Sequence, residues 1–230
     1  MNRELQTVVL VRHASSTANL DPTVYQRVPD HAIPLCRPED DPAALVAGSV
    51  LAALSLQPST VCGWSSTYLR CRQTREMVLR RAFGSAAAAV ERRESFLLRE
   101  QEFGDWDGWS EEEIERSDPE RHAKRKRMSD GAGRFYFRYP NGESRADVAQ
   151  RCSIFIGKLH RSRFPHHLVF LHGVTQRALR MAWLNHSVEW FEAEPNPTNC
   201  SVLLVRRGPD KQWVEQYLPL DPQAAAALVR

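Results

Sequence analysis

Two short apolar runs constrain this chain more than any other feature. Thr7 to Val11 is valine-rich and is followed at once by Arg12 and His13, and His167 to Leu171 is followed by His172 and Gly173. Both runs read as buried strands. Ligands of open α/β sheets bind beyond the carboxyl ends of such strands. A third candidate strand, Thr60 to Trp64, leads into a helix beginning SSTYLRCRQTREMV, with Ser65 or Ser66 as its cap and Arg70 in its first turn. If the three strands are parallel neighbours, His13, His172 and Arg70 meet at one edge of the sheet.

Arg12 adds a second permanent cation to that edge. Two guanidiniums and two imidazoles beside the amides of a helix start repel one another unless an anion completes the group. A phosphate monoester, with a charge of roughly −2 near neutral pH, fits that place, and guanidinium forks match its oxygens. Neighbouring positive charge also favours the neutral form of histidine. A neutral imidazole is a nucleophile.

The remaining segments extend an alternating pattern. Asp21 to Pro42 is a long polar loop carrying Tyr25, Arg27, Asp30 and His31 near the site, and Ala43 to Leu56 has helical spacing. GSAAAAVERRESFLL passes from a helix end at Gly84 into an extended segment. Ser110 caps a helix opening on three glutamates, Asp118-Pro119 interrupts it, and the basic run Lys124 to Arg127 closes the next helix, complementing the helix dipole. Ser144 and Asp147 form a capping-box pattern before a helix from about Arg145 to Arg161. A further helix spans about Thr175 to Leu184. CSVLLVRR and KQWVEQYL make a hairpin around Gly208-Pro209-Asp210. Strands alternating with helices predict an α/β three-layer sandwich, with a mainly parallel central sheet and helices on both faces.

With 230 residues, 42% of them hydrophobic, the chain suits a single domain spanning residues 1–230. A net charge of +3 without a concentrated patch argues against nucleic acid as a partner. Five scattered cysteines, Cys36, Cys62, Cys71, Cys152 and Cys200, include no CxxC pair and fit reduced thiols in the cytoplasm. MNRELQTVVLVRH reaches charge too early for a signal-peptide core, and no apolar run approaches membrane-spanning length. His160, His166, His167 and His186 lack a ligand spacing, so no metal site is expected.

Five segments in order resemble the histidine phosphatase superfamily, also called phosphoglycerate mutase-like. VRHASSTAN resembles its RHG signature, SSTYLRCRQT its arginine-bearing helix start, and LLREQEFGDW its acid-bearing segment. YPNGESRADVAQR resembles its P-x-G-E-S motif and FLHGVTQR its second histidine motif. The match runs from the first strand to near Asn199. YQRVPDHAIPL, GRFYFRYPNGES and NPTNC look similar to a phosphatase-like branch found in plants and fungi.

The resemblance implies that His13 is the nucleophile, forming a phosphohistidine, and that Arg12, Arg70 and His172 hold the phosphoryl oxygens. Glu100 is then the general acid and later the base that activates water, with Glu102 and Asp105 as rivals on the same segment. Ser16, Asn19 and Gly173 would support the loop or touch substrate. No cofactor is implied, because arginines supply the charge a metal would. Ala14 stands where the signature has glycine, which strains the loop only if φ there is positive. Thr67 stands where proline is usual.

The function expected is metal-independent hydrolysis of small phosphate monoesters. A phosphoglycerate mutase using the same residues is the second reading, less favoured because the proline-rich insertion of many mutases has no counterpart here. A non-catalytic binder of phosphorylated ligands is the third, and the intact acid speaks against it. Glu143 either starts a helix or supports the site. Lys124 to Arg127 is a solvated helix end in preference to a targeting or nucleic-acid patch. Phe135, Tyr136 and Phe137 wall the substrate or fill the core. Oligomeric state stays open.

Overall fold

In the computed structural model, which describes residues 4–129, 133–208 and 210–229, the two histidine-ending runs are adjacent parallel strands. The strands are β1 (Thr7–Arg12), β2 (Val61–Ser65), β3 (Glu91–Glu94), β4 (His166–Leu171), β5 (Val202–Arg207) and β6 (Trp213–Leu218). Their order across one sheet is β3-β2-β4-β1-β5-β6. The first four in that order run parallel, β5 runs antiparallel to β1, and β6 antiparallel to β5.

The helices fall in chain order as α1 (Thr17–Leu20), α2 (Pro42–Ala53), α3 (Leu69–Phe83), α4 (Glu111–Ser117) and α5 (Pro119–Met128). Then come α6 (Gly133–Tyr136), α7 (Arg145–His160), α8 (Gly173–Leu184), α9 (Val188–Ala193) and α10 (Pro222–Val229).

Side chains alternate between the two faces of a strand, so a strand covered on both sides must be apolar throughout. Val8 and Leu10 accordingly join Val148, Phe155, Ala178 and Leu179 of α7 and α8 on one face. Val9 and Val11 join Ala47, Val50, Met77 and Val78 of α2 and α3 on the other. Each of these fully buried aliphatic side chains contributes about 1.5–3 kcal/mol relative to exposure. The sandwich read from the sequence is the one observed.

The β1–β4 register aligns Arg12 with Leu171. His13 N–H donates to the Leu171 carbonyl at 3.0 Å, so the two histidines leave the sheet side by side. Ser66 N–H donates to the Phe170 carbonyl at 2.9 Å and stays in the sheet register. For that reason neither Ser65 nor Ser66 caps α3, which begins at Leu69 with Tyr68 in the cap position and no side-chain cap bond. The Ser66 hydroxyl reaches the site instead.

Other boundaries shift for similar local reasons. The alanine tract forms a 3-10 turn over Gly84–Ala89 before β3, and α8 starts at Gly173, directly behind His172. Ser110 and Ser144 both close capping boxes, and Asp118-Pro119 separates α4 from α5 as the sequence predicts. The β5–β6 hairpin forms, although Pro209 at its turn lies outside the described residues, as do residues 1–3 of the N-terminal segment. Helix α10, whose Ala225 packs into the same cluster as α2, had no expectation attached to it. Phe135 is buried against Phe191, Phe137 stacks on Trp106, and Tyr136 is exposed. Phe135 and Phe137 therefore fill cores.

Gly104 sits at φ +59°, and a Cβ there would lie 1.9 Å from the Pro140 carbonyl oxygen. Gly84 sits at φ +55° with nothing within 4 Å of an added Cβ. Gly84→Ala should therefore cost only backbone strain, of order 1–3 kcal/mol, whereas Gly104→Ala should cost clearly more. Urea unfolding of the two variants checks the ranking.

Candidate active site

His13 is buried, and its ring faces that of His172 at 5.2 Å between centroids. Its Nδ1 lies 2.7 Å from the Ala14 carbonyl. A carbonyl only accepts, so Nδ1 carries the proton and Nε2 of the neutral ring holds a free lone pair. Burial, then the charge of Arg70, hold the His13 pKa well below the usual histidine value. Ala14 donates its N–H to Thr74 Oγ1 at 3.0 Å, and its φ is not positive. The methyl that replaces the signature glycine is simply packed in the core.

Arg70 is buried and donates from one terminal nitrogen to both the carbonyl and the carboxylate of Asp30, each at 2.7 Å. Burial pulls its pKa down, but the Asp30 carboxylate outweighs that and raises it. Arg12 donates to the Pro197 carbonyl, and its Nε is buried without a partner. Burial lowers the Arg12 pKa despite the opposing charge of Glu100. An orphaned guanidinium N–H is costly unless something binds it.

His172 is fully buried, with Nε2 at 3.0 Å from Ser66 Oγ and 3.3 Å from Cys71 Sγ. Ser66 Oγ accepts from Tyr68 N–H at 3.3 Å and is free to donate to His172 Nε2. Burial, then Arg70 and His13, keep this histidine neutral too. Sequence reading missed Ser66 here because a serine before a helix looks like a cap.

Glu100 is held at the start of α8. Its carboxylate accepts from Val174 N–H at 3.3 Å and Thr175 N–H at 3.2 Å, while the Thr175 hydroxyl, 3.2 Å from the same carboxylate, donates to the Arg99 carbonyl at 2.6 Å. Its rivals point elsewhere: Glu102 pairs with Arg99, and Asp105 accepts from Asn141 Nδ2. Behind Glu100, the buried Glu143 carboxylate takes Arg151 through both oxygens at 3.0 and 3.1 Å, Arg99 at 2.6 Å, and Glu102 N–H at 3.2 Å. Arg151 in turn donates to the carbonyls of Leu97 and Glu100. Glu143 thus does more than open a helix; it ties α7 to the segment that carries Glu100.

Ser16 and Asn19 bond each other: Asn19 Oδ1 accepts from the Ser16 N–H at 3.0 Å and hydroxyl at 3.1 Å. Asn199 Nδ2 donates to the His13 carbonyl at 2.7 Å. Gly173 lies beside Arg12, where a Cβ would come within 3.0 Å of Asn196 Oδ1 and 3.6 Å of Arg12 Cζ.

The loop after α1, expected near the site with Tyr25 and Asp30 on it, brings Tyr25 as well as Asp30; burial and the Asp30 charge push the Tyr25 pKa to about 12. Asp107 faces the same groups, with its pKa raised to about 6 by burial and Asp30. Tyr25 and Asp107 also line a cavity of about 920 Å³ together with Phe103, Trp109 and Tyr139.

Three other histidines serve packing. His167 accepts from Trp64 Nε1 at 3.1 Å, His186 stacks on Trp190, and His160 packs between Trp183 and Trp213. Arg125 covers Trp106 and pairs with Glu111, and Lys126 faces Glu115, so the basic run closes α5 within its own acidic surroundings. Among the described residues no group of three or more His, Cys, Asp or Glu could hold a metal ion, and no helix is long and apolar enough to cross a membrane.

A sheet edge carrying paired histidines, two arginines and a cradled carboxylate is the mark of a histidine-phosphatase-fold enzyme. The chain belongs to the histidine phosphatase superfamily (branch 1), whose profile matches residues 8–218. It is 33% identical over 216 residues to phosphoglycerate mutase-like protein AT74 of Arabidopsis thaliana, covering 87% of this chain and 65% of that protein. The related AT74H protein of the same plant is 31% identical over 225 residues, covering 90% and 75%. The mycobacterial glucosyl-3-phosphoglycerate phosphatase has the same fold, with a TM-score of 0.68 and 23% identity over 92% of this chain and 98% of its own. The chain thus spans about two thirds to three quarters of the length of the two plant relatives.

Two outcomes follow from this geometry. Glu143→Ala leaves the buried Arg151 without its carboxylate and should cost about 3–5 kcal/mol, lowering Tm and, because Glu100 loosens, lowering kcat more than it raises KM. The second concerns acid. An unfolded histidine takes up a proton near its ordinary value, whereas folded His167 does not until about 4 and His13 and His172 are likewise shifted down. Unfolding therefore binds protons throughout that window, and stability should fall as pH drops from 6.5 towards 4. Thermal melts across that range should show a shallower fall for His167→Gln.

Proposed function

We propose that this protein hydrolyses phosphate monoesters through a phosphohistidine at His13. The Nδ1–Ala14 bond is the observation that carries the reading, since it presents a neutral imidazole with Nε2 as the nucleophilic atom. The phosphate dianion supplies the negative charge that Arg12, Arg70 and two buried imidazoles lack. The orphaned Arg12 Nε and the nitrogens of Arg70 not spent on Asp30 are the donors for its oxygens, with the His172 ring beside them.

In the first step His13 Nε2 bonds to phosphorus as the ester P–O bond breaks, and the Glu100 carboxyl gives its proton to the departing alkoxide. In the second step water attacks phosphorus, Glu100 takes the water proton, and the N–P bond breaks to release inorganic phosphate. Both steps use residues of this chain alone. Ser16, Asn19 and Asn199 keep the loop and the His13 backbone in place, and Gly173 lets α8 approach Arg12.

The test is turnover of para-nitrophenyl phosphate, with and without a chelator. Activity should be present in the parent, unaffected by chelation, and lost in His13→Ala, with Glu100→Gln lowering kcat by about 10²–10⁴-fold. Because the His13 pKa is shifted down, kcat/KM should not drop as pH falls through 6.5. Equal activity in parent and His13→Ala would overturn the reading. Transfer of the phosphoryl group between phosphoglycerates without release of phosphate would replace it with a mutase.

A further inference from the structure

Arg70 is tied down at both ends. Its side chain is 2% exposed, with Cζ 5.1 Å from the centre of the Tyr68 ring, and a single nitrogen, Nη1, donates to both the carbonyl and the carboxylate of Asp30. At the other end the Arg70 carbonyl accepts from the Thr74 hydroxyl at 2.7 Å, and that hydroxyl accepts from Ala14 N–H. The backbone of Arg70 is thus joined to the loop behind His13, and its tip to Asp30.

Asp30 is held by contacts of its own. Its carbonyl also accepts from the N–H of the fully buried Ile33 at 3.3 Å. Leu35 N–H donates to Gln73 Oε1 of α3 at 2.9 Å, and Thr17 N–H and Cys36 N–H close onto the Pro34 and Ser15 carbonyls. The segment bearing Asp30 is therefore pinned between α3 and the loop behind His13.

A guanidinium is planar, and its Nε–Nη2 edge is a fork that fits two oxygens of one phosphoryl group. With Nη1 taken by Asp30, that fork is the edge left for a ligand. We propose that Asp30 is a positioning residue, which fixes Nη1 so that the Nε–Nη2 fork of Arg70 is aimed in advance at the phosphoryl group in transfer to His13. The inference rests on the phosphatase reading and adds to it a residue that touches no substrate. A loose guanidinium would turn to follow any phosphate anion, whereas a fixed one favours the arrangement it was set for and needs no reorganisation when transfer occurs. The Asp30 charge also offsets part of the pull of Arg70 on a resting anion. Removing Asp30 should therefore weaken the transition state without weakening phosphate itself.

Vanadate and inorganic phosphate separate those two effects, because vanadate bonded to a histidine takes the five-coordinate form of phosphoryl transfer and phosphate stays tetrahedral. Titration calorimetry on the intact protein gives both affinities without turnover. Asp30→Ala should weaken vanadate binding by at least about tenfold and lower kcat for para-nitrophenyl phosphate by a similar factor, with phosphate bound as tightly as by the parent or more so. Asp30→Asn keeps an acceptor for Nη1 and loses the charge, and should bring vanadate affinity and kcat back to within about threefold of the parent. In an Arg70→Ala background Asp30→Ala should cost less than about twofold, since Asp30 acts through Arg70. Should Asp30→Ala fail to fold, Asp30→Ser, polar but with its oxygen one bond short, takes its place with the same expectation. An unchanged ratio of the two affinities, an Asp30→Asn variant no better than Asp30→Ala, or a full loss in the Arg70→Ala background overturns the inference and leaves the phosphatase reading standing. If the parent does not turn over the ester, the phosphatase reading fails, and the ratio of vanadate to phosphate affinity still decides the role of Asp30.

Discussion

The parallel pairing of β1 with β4 is the interaction on which the rest depends. Arg12 stands level with Leu171, and the bond from His13 N–H to the Leu171 carbonyl carries the register one residue past the sheet. Both histidines then emerge together, and α8 begins immediately behind one of them. A slip of one residue would turn every side chain of β1 to the opposite face. Burial of Val8 and Leu10 on one side and Val9 and Val11 on the other forbids that slip, so packing in the core sets the position of the His13 ring.

Electrostatics is the second level. Two imidazoles and two guanidiniums in one buried place would not tolerate four positive charges, and the structure resolves this by keeping both imidazoles neutral. Asp30 offsets part of the charge of Arg70 without consuming the whole fork. The same proximity that would destabilise a charged histidine keeps the lone pair of the His13 ring from being lost to a proton. Glu100 is positioned by helix amides on one side and by the Glu143–Arg151 pair behind it.

Much of this could be read from the sequence, because the signals were local. The valine run, the capping pattern at Ser144 and the Asp118-Pro119 break each act within a few residues, and each element appeared close to its expected bounds. What escaped depends on distant chain segments. Ser66 looks like a helix cap until β2 is seen to hold it in register with Phe170. Asp107 and Tyr25 lie 82 positions apart in sequence, and nothing in either segment alone announces a shared wall. Glu143 presented two roles because its helix cap is local, whereas its hold on Arg99 and Arg151 requires the fold.

The Asn199 bond to the His13 carbonyl has a bearing on how the molecule is made. It links residues separated by 186 positions, and the neighbouring Cys200 N–H closes onto the Arg12 carbonyl in the same way. During synthesis His13 leaves the ribosome long before the Asn199 amide that steadies its backbone. Contacts of such separation form late, after the loop-closure entropy has been overcome. A nascent chain therefore carries His13 long before it has a place to hold it, and the loop behind that histidine is secured only when β5 docks against β1.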